Sequence, residues 1–291
     1  MNTSKFCISN GENFKLKDQS TSSPKDSLEK KELKEQLQND IEEIQKLQQL
    51  FFAIERHSIL LIFQAMDAAG KDGAIKNVAT GINPQGCEVF SFKPPTEEEY
   101  KHDFLWRHHL RTPKKGKFGI HNRSHYEFVL SCKVNPEYIL SENIPGILET
   151  KDINKDFWKT RYDRINGFET QLADTGMVVL KFFLNISKEE QKKRLLERIE
   201  DPNKNWKFQM GDLKTRSQWD SYMKAYEETI QNTSQKNSPW YVIPADDKWY
   251  ARALIARVLK ETLIELDLQY PKLNGESASM FAEAKKQLME S

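Results

Sequence analysis

Apolar positions along the chain fall into two recurring patterns, and their alternation predicts the fold. From Asp26, apolar residues recur every three or four positions, at Leu33, Leu37, Ile41, Ile44, Leu47 and Phe51. This predicts an amphipathic helix opened by Asp26 and Glu29 in capping-box register. Ser58 to Gln64 (SILLIFQ) is instead a short, nearly continuous apolar run, the pattern of a strand buried on both faces of a parallel sheet. Similar runs at Cys87 to Phe92, Phe118 to Asn122, Met177 to Asn185 and Trp240 to Pro244 predict four more strands. Helices are predicted between them at about 96 to 110, 124 to 131, 154 to 174 and 187 to 200, the last opened by Ser187 and Glu190 as a capping box. Strands alternating with helices imply an α/β fold, a parallel sheet covered on both faces.

Beyond Glu200 the periodicity breaks. Residues 201 to 218 (DPNKNWKFQMGDLKTRSQ) contain Pro, Gly and Asn and are too polar for sheet, which predicts a surface excursion between two helices. Trp219, Tyr222, Met223 and Tyr226 resume a helical spacing and read as an apolar stripe, with stacking on a base as the competing reading. Lys248 to Asp267 reads as an amphipathic helix, and Glu276 to Ser291 as a short final one. Residues 1 to 24 have few apolar positions among Ser, Thr, Asn and Lys and are expected to form a mobile tail.

A chain of 291 residues is long enough for one large α/β domain with appendages. Lys and Arg number 44 against 43 Asp and Glu, so any site for a polyanion must concentrate its charge locally. Cys7, Cys87 and Cys132 are scattered without C-x-x-C spacing, which argues against a disulfide framework, a zinc module and a redox motif and fits a reducing cytoplasm. The absence of a signal-peptide core, and of any run of roughly 18 apolar residues, leads us to expect no membrane partner. The histidines form no H-E-x-x-H arrangement and no serine elbow is present, so neither a zinc site nor a serine nucleophile is expected.

The first predicted strand runs into Ala65-Met66-Asp67-Ala68-Ala69-Gly70-Lys71-Asp72-Gly73 and then a helix over Ala74 to Thr80. That context is what a Walker A loop requires, because successive backbone N–H groups and a helix N-terminus create a concave anion site. Gly70 allows close approach to phosphate oxygens, and Lys71 places an ammonium on the transferring group. Two positions depart from the usual motif: Ala65 stands for the first Gly and Asp72 for the Ser or Thr after Lys. The missing hydroxyl removes the loop's ordinary Mg²⁺ ligand, and Asp67 offers a carboxylate in its place. Ala68, Ala69, Gly70, Asp72, Gly73 and Lys76 complete the candidate phosphate- and nucleotide-binding positions of this segment.

A second constellation, His121-Asn122-Arg123-Ser124-His125-Tyr126-Glu127, follows another strand end. Asn122 can donate to a phosphate oxygen, Arg123 can neutralise phosphoryl charge, and Glu127 can orient a nucleophile. An Arg123–Glu127 pair bridging one helical turn is the purely structural alternative. Arg107, Arg111, Lys114, Lys115, Lys117 and Arg123 form a run of like charge that reads either as a solvated loop or as a channel for a long polyanion. Arg194, Arg198, Lys204, Lys207, Lys214 and Arg216 add cations around the polar excursion, with Arg194 and Arg198 on one helix face.

Five ordered blocks resemble the polyphosphate kinase type 2 family: FQAMDAAGKDGAIKNV, NPQGCEVFSFKPPTEEEYKHDFLWRHH, FGIHNRSHYEFVL, NWKFQMGDLKTRSQWDSYMKAYEETI and SPWYVIPADDKWYARALIARVL. Asn122-Arg123-Ser124 makes the sequence most similar to the class III branch, which accepts both AMP and ADP; other members carry Asp-Arg-Ser there. The resemblance implies a three-layer α/β/α P-loop kinase core akin to thymidylate kinase. Its boundaries here would be a tail at 1–24, a helix at 25–55, the kinase domain at 56–270 with a lid at about 194–218, and a helical extension at 271–291. The roles it implies are Lys71 and the loop backbone on phosphate, Asp67 linked to Mg²⁺ (or Mn²⁺), Arg123 on the phosphoryl group, and Arg194, Arg198 and Lys207 closing over donor or acceptor from the lid. Arg107 joins the implied phosphate-binding set. The implied partners are inorganic polyphosphate, AMP, ADP and ATP, with a homo-oligomeric (dimer or tetramer) cytoplasmic protein and no nucleic acid. An ATP-dependent nucleoside monophosphate kinase and a non-catalytic nucleotide-binding scaffold remain the rival readings.

Overall fold

The computed structural model describes residues 1–270 and 275–290, so 271–274 and Ser291 of the expected C-terminal extension lie outside the described residues. One sheet contains β1 (Cys7–Ile8), β2 (Ser58–Ala65), β3 (Cys87–Ser91), β4 (Phe118–Asn122), β5 (Met177–Asn185) and β6 (Trp240–Pro244), in the spatial order β1-β6-β5-β2-β4-β3. All neighbours from β6 to β3 are parallel, and β1 pairs antiparallel with β6. The apolar runs of the inner strands form because both faces are covered, with Ile59, Leu60, Leu61, Ile62 and Phe63 of β2 all fully buried, whereas the edge strand β3 is only partly covered and leaves Val89 exposed.

The helices of two turns or more are α1 (Lys30–Ile54), α2 (Lys71–Val78), α3 (Lys155–Asp174), α4 (Lys188–Glu200), α5 (Met210–Ser217), α6 (Trp219–Thr233), α7 (Lys248–Glu265) and α8 (Gly275–Glu290). α7 packs between α1 and α2 on one face of the sheet, while α3 packs on β5 and on α6 at the other, as right-handed crossovers require. The chain leaves β2 for β3, returns to β4 beside β2, then passes to β5 on the far side of β2. The carboxyl end of β2 therefore lies where the connections reverse, the place open α/β sheets use for ligands. Among the described residues no helix is long and apolar enough to cross a membrane.

Three expectations about local structure change. α1 begins at Lys30 rather than Asp26, because the capping box is built three residues later, from Glu29 and Glu32. The segment expected as helix from 96 to 110 holds only the single turns Glu99–Lys101 and Trp106–His109, and that from 124 to 131 begins as a 3₁₀ turn at His125–Phe128. The polar excursion contains α5, whose box is Gln209 with Asp212.

The expected mobile tail is the larger correction, for residues 1–24 are laid along the domain. Cys7 and Ile8 pair with Tyr241 and Trp240, closing the open edge of β6. Phe14 and Leu16 are buried, the Leu16 N–H donates to Glu227 at 2.7 Å, and Gln231 donates to the Phe14 carbonyl at 2.8 Å. Gly11 permits this approach, since a Cβ there would lie 2.3 Å from the Gln231 carbonyl oxygen. The segment ends at the carboxyl edge of the sheet, where Asn185 donates to Gln19 and Ser20 and the Asp246 N–H donates to Thr21. A few apolar anchors and a free strand edge hold a polar segment that composition alone reads as mobile. Deleting residues 1–24 should remove about 3–6 kcal/mol of apolar burial from Phe14 and Leu16. The expected result is a Tm lower by roughly 6 °C or more in a thermal scan. An unchanged Tm would restore the mobile tail.

Candidate active site

At the end of β2 the backbone turns sharply, with Ala68 at φ 63° and Gly70 at φ 108°. Gly70 is the N-cap of α2 and no side chain caps the helix, so the N–H groups of its first turn remain available to an anion. Ala68 is a non-glycine in left-handed geometry, a strain of about 1–2 kcal/mol that the surrounding contacts must offset. Lys71 folds back over the turn and donates to the Ala65 carbonyl at 3.1 Å. Burial lowers its pKa, the Arg123 charge adds to this, and Asp67, Glu127 and Asp72 oppose it.

The second constellation meets the first. Arg123 adopts φ 65°, its N–H donates to Phe63 at 3.1 Å, and its Nη2 donates to Asp67 Oδ1 at 3.1 Å. Its contact partner is thus the loop acid rather than Glu127, although Glu127 is the foremost charge raising its pKa, ahead of Asp67. Asn122 donates its amide to Asp72 Oδ1 at 2.8 Å. The neutral amide expected to meet phosphate is committed to the carboxylate that replaces the usual Walker A hydroxyl. Tyr222 and Tyr226 of α6 lie in the field of Glu127, and burial first, then that carboxylate, raises the pKa of each.

Arg194 is corrected from its expected place in the lid. It is 4% exposed, and its guanidinium donates to the carbonyls of Ala68 (3.3 Å), Ala69 (2.8 Å), Ala245 (2.7 Å) and Asp246 (2.9 Å), while Nε donates to Glu190 at 2.8 Å. These contacts support the loop from behind. Arg198, near the end of α4, pairs with Asp212 of α5 at 3.3 Å, and Lys207 is exposed, its ammonium 5.0 Å from the Trp206 ring centroid. Sequence reasoning missed Gln191 and Asp212. Gln191 donates to the Asp67 carbonyl at 3.0 Å and accepts from Arg216 at 2.8 Å; its spacing of three from Arg194 on α4 was the available signal. The Asp212 pKa is raised by burial and next by the charge of Asp67, while its Oδ2 accepts from Arg198 at 3.3 Å.

The remaining cations divide by position. Arg107 is held by Glu99 at 3.2 Å and stands over Phe92 at 5.2 Å, and Lys76 is exposed in the last turn of α2, away from the cradle. Lys114, Lys115 and Lys117 precede the first residue of β4, and Gly116 donates to His57 just before β2. With β2 and β4 parallel, these lysines lie at the opposite end of the sheet from the loop, which removes them from a channel beside it. His121 and His125 are four residues apart, yet they sit with His108 in a buried ring cluster against Phe92 and Phe168. Burial lowers the His121 pKa to about 4 and that of His108 far below its ordinary value.

Behind the second constellation lies a fully buried ion pair. Lys181 of β5 donates to Glu169 of α3 at 2.6 Å, to the Thr233 carbonyl at 2.7 Å and to the Tyr126 hydroxyl at 3.1 Å. Glu169 accepts from Tyr126 at 2.7 Å and meets His125 Nε2 at 3.2 Å. Burial pushes Glu169 up, but Lys181 and His125 together hold it at about 2. Tyr126 and His125 stand between Arg123 and Glu127, so this network fixes the turn that aims both. Tyr126→Phe should cost about 1–3 kcal/mol of stability by leaving buried partners unmet. It should also lower kcat roughly tenfold with KM for nucleotide unchanged, as a shifted Arg123 predicts. A lower Tm with unaltered kcat would mark the network as purely structural.

Among the described residues no cluster of three or more His, Cys, Asp or Glu is arranged to hold a metal. Asp67, whose Oδ1 accepts from Arg123 at 3.1 Å, is the loop carboxylate chemically suited to Mg²⁺, an ion that commonly takes one or two carboxylates from protein while phosphate and water fill its other positions.

The family described as Polyphosphate kinase 2 (PPK2) matches residues 27–271. An ADP-polyphosphate phosphotransferase of Rhodopseudomonas palustris is 44% identical over 287 residues, covering 99% of this chain and 98% of that protein. An AMP/ADP-polyphosphate phosphotransferase of Meiothermus ruber is 48% identical over 229 residues, covering 79% and 80% respectively. The crystal structure of Polyphosphate Kinase 2 from Arthrobacter aurescens aligns with a TM-score of 0.85 at 37% identity, over 96% of this chain and 95% of that one. Sequence, fold and phosphate loop agree, and the chain belongs to the polyphosphate kinase 2 family.

Proposed function

We propose that this protein transfers phosphoryl groups between inorganic polyphosphate and adenine nucleotides, forming ADP from AMP and ATP from ADP. The observation that carries the proposal is that Lys71 and Arg123 meet at the loop that opens α2, where Lys71 donates to the Ala65 carbonyl, Arg123 donates to Asp67 at 3.1 Å, and both of those charges act on Lys71. Phosphoryl transfer passes through a loose transition state with charge spread over the equatorial oxygens, so the protein's work is alignment and charge screening. The cradle amides hold one phosphate, Lys71 and Arg123 face the transferred group, and Glu127 is placed to orient the incoming oxygen. Mg²⁺, held by Asp67, would supply neutralisation of phosphate charge when bound. Both donor and product carry phosphoanhydride bonds, so the reaction runs in both directions.

The dual acceptor range rests on Asn122-Arg123-Ser124 and on the Meiothermus ruber relative, named for both acceptors; the Rhodopseudomonas palustris relative is named for ADP. Cytoplasmic residence and self-association belong to the same proposal, the former supported by three free cysteines. Lys71→Ala and Asp67→Asn should each lower kcat by roughly a thousandfold or more while the Tm holds. Asn122→Asp would set a second carboxylate against Asp72, 2.8 Å from the present amide. The added carboxylate would also repel an acceptor whose α-phosphate must reach the transfer position, so the change should reduce kcat/KM for AMP more than for ADP, a ratio that cancels general damage. Activity within about tenfold of the parent for Lys71→Ala or Asp67→Asn would refute the assigned site, and equal loss for both acceptors would refute the role of Asn122.

A further inference from the structure

Covering the edge of β6 takes only Cys7 and Ile8, and the buried apolar anchors of the N-terminal segment end at Leu16. The chain nevertheless stays on the domain through Lys17 to Ser22, a wholly polar stretch in which only Gln19 and Thr21 are partly covered. Hydrogen bonds at the carboxyl end of the sheet hold it there. Asn185, the last residue of β5 and buried, donates its amide to the carbonyls of Gln19 at 3.1 Å and Ser20 at 3.3 Å. Asp246, two residues beyond β6, donates its N–H to the Thr21 carbonyl at 2.9 Å, and its Oδ2 accepts from the Ser22 hydroxyl at 3.3 Å. Bonds of this kind exchange with water at little net gain, so what they position matters more than what they add to stability.

Both anchors are shared with the support of the phosphate loop. Asp246 Oδ1 accepts from the Ser187 N–H at 2.8 Å, at the N-cap of α4, and the Ser187 hydroxyl accepts from the Glu190 N–H at 3.1 Å. Glu190 holds Nε of Arg194 at 2.8 Å, and Arg194 joins the carbonyls of Ala245 and Asp246 to those of Ala68 and Ala69. The Asn185 carbonyl accepts from the Ala245 N–H at 2.9 Å, which fixes the same stretch from β5. One connected set of bonds thus runs from Gln19–Ser22 through Asp246 and the start of α4 to a loop whose Ala68 sits at φ 63°. Strained backbone persists only where its surroundings over-determine it, so the loss of a brace is felt in the loop.

We infer that residues 19–22 form a strap that positions the phosphate loop, with Asn185 and Asp246 as positioning residues that act through Arg194. The inference rests on the phosphoryl-transfer reading of the loop and adds the N-terminal segment to what that loop requires. Asp246 is the junction. Its two carboxylate oxygens reach α4 and the strap separately, and its backbone reaches the strap and Arg194. A segment that only stabilised the domain would need no bond to the residues that brace the loop.

The test uses three variants of the full chain. Asp246→Ala removes both carboxylate bonds. Asp246→Asn keeps an oxygen for the Ser187 N–H and offers an amide to the Ser22 hydroxyl, whereas Asn185→Asp turns a carboxylate toward the carbonyls of Gln19 and Ser20. Kinetics with long-chain polyphosphate and AMP, taken well below each Tm, are read beside the rate of tryptic cleavage after the exposed Lys17. Asp246→Ala and Asn185→Asp are expected to speed cleavage and to lower kcat, each roughly tenfold, with KM for AMP unchanged. Asp246→Asn should stay close to the parent in both. Faster cleavage with parental kcat makes the segment structural only and overturns the inference. Parental cleavage in Asn185→Asp overturns it too, as does a kcat loss in Asp246→Asn equal to that in Asp246→Ala. If Asn185→Asp fails to fold, the two Asp246 variants decide alone. A parent that turns over no polyphosphate instead refutes the functional reading beneath, and the cleavage rates, which need no turnover, keep the two failures distinguishable.

Discussion

The guanidinium of Arg194 ties the phosphate loop to the entry of α7. Its donors reach the carbonyls of Ala68 and Ala69 on one side and of Ala245 and Asp246 on the other, from a nearly fully buried position. A loop containing an alanine at positive φ needs such support, because its strain is tolerated only where neighbours over-determine it. With its carbonyls held from behind, the loop turns its N–H groups outward, and the sign of the site follows from that geometry. Asp67 is placed by the same helix through Gln191, so α4 holds both the loop and its acid before the chain departs into the lid.

The second support lies on the opposite face. Burying Lys181 and Glu169 together costs desolvation, and such pairs are often no better for stability than apolar residues of similar volume. What this pair specifies is direction. Its contacts to Tyr126 and His125 fix a turn that begins at Arg123, itself in left-handed geometry, and that carries Glu127. The loop and the turn reach each other through Arg123 with Asp67 and Asn122 with Asp72, so the site is a joint between two independently braced segments.

Much of this frame was legible in the sequence for a physical reason. The strands at Phe118–Asn122, Met177–Asn185 and Trp240–Pro244 are buried on both faces, which writes them as apolar runs with sharp ends. The loop and the Asn122–Arg123 pair were visible because strand ends and a Gly-Lys turn fix their placement. What composition concealed was contact made by single residues. Phe14 and Leu16 anchor a polar segment, and no local pattern announces two isolated anchors. Arg194 resembled a lid cation because charge suggests exposure, whereas a buried guanidinium can be satisfied by four backbone carbonyls and one carboxylate, that of Glu190. The lysines at 114 to 117 were close to the site in sequence and at the far end of the sheet in space, a distinction that only strand direction supplies.

The central claim is that the cradle serves a polyphosphate donor rather than an ATP donor, since a nucleoside monophosphate kinase shares this architecture. The most direct measurement offers the purified chain AMP and Mg²⁺ with either long-chain polyphosphate or ATP as the only donor, and follows ADP formation. The account predicts rapid ADP formation with polyphosphate, followed by ATP as ADP is phosphorylated in turn, and little turnover when ATP is the donor. ADP formation that depends on ATP and is absent with polyphosphate would contradict it.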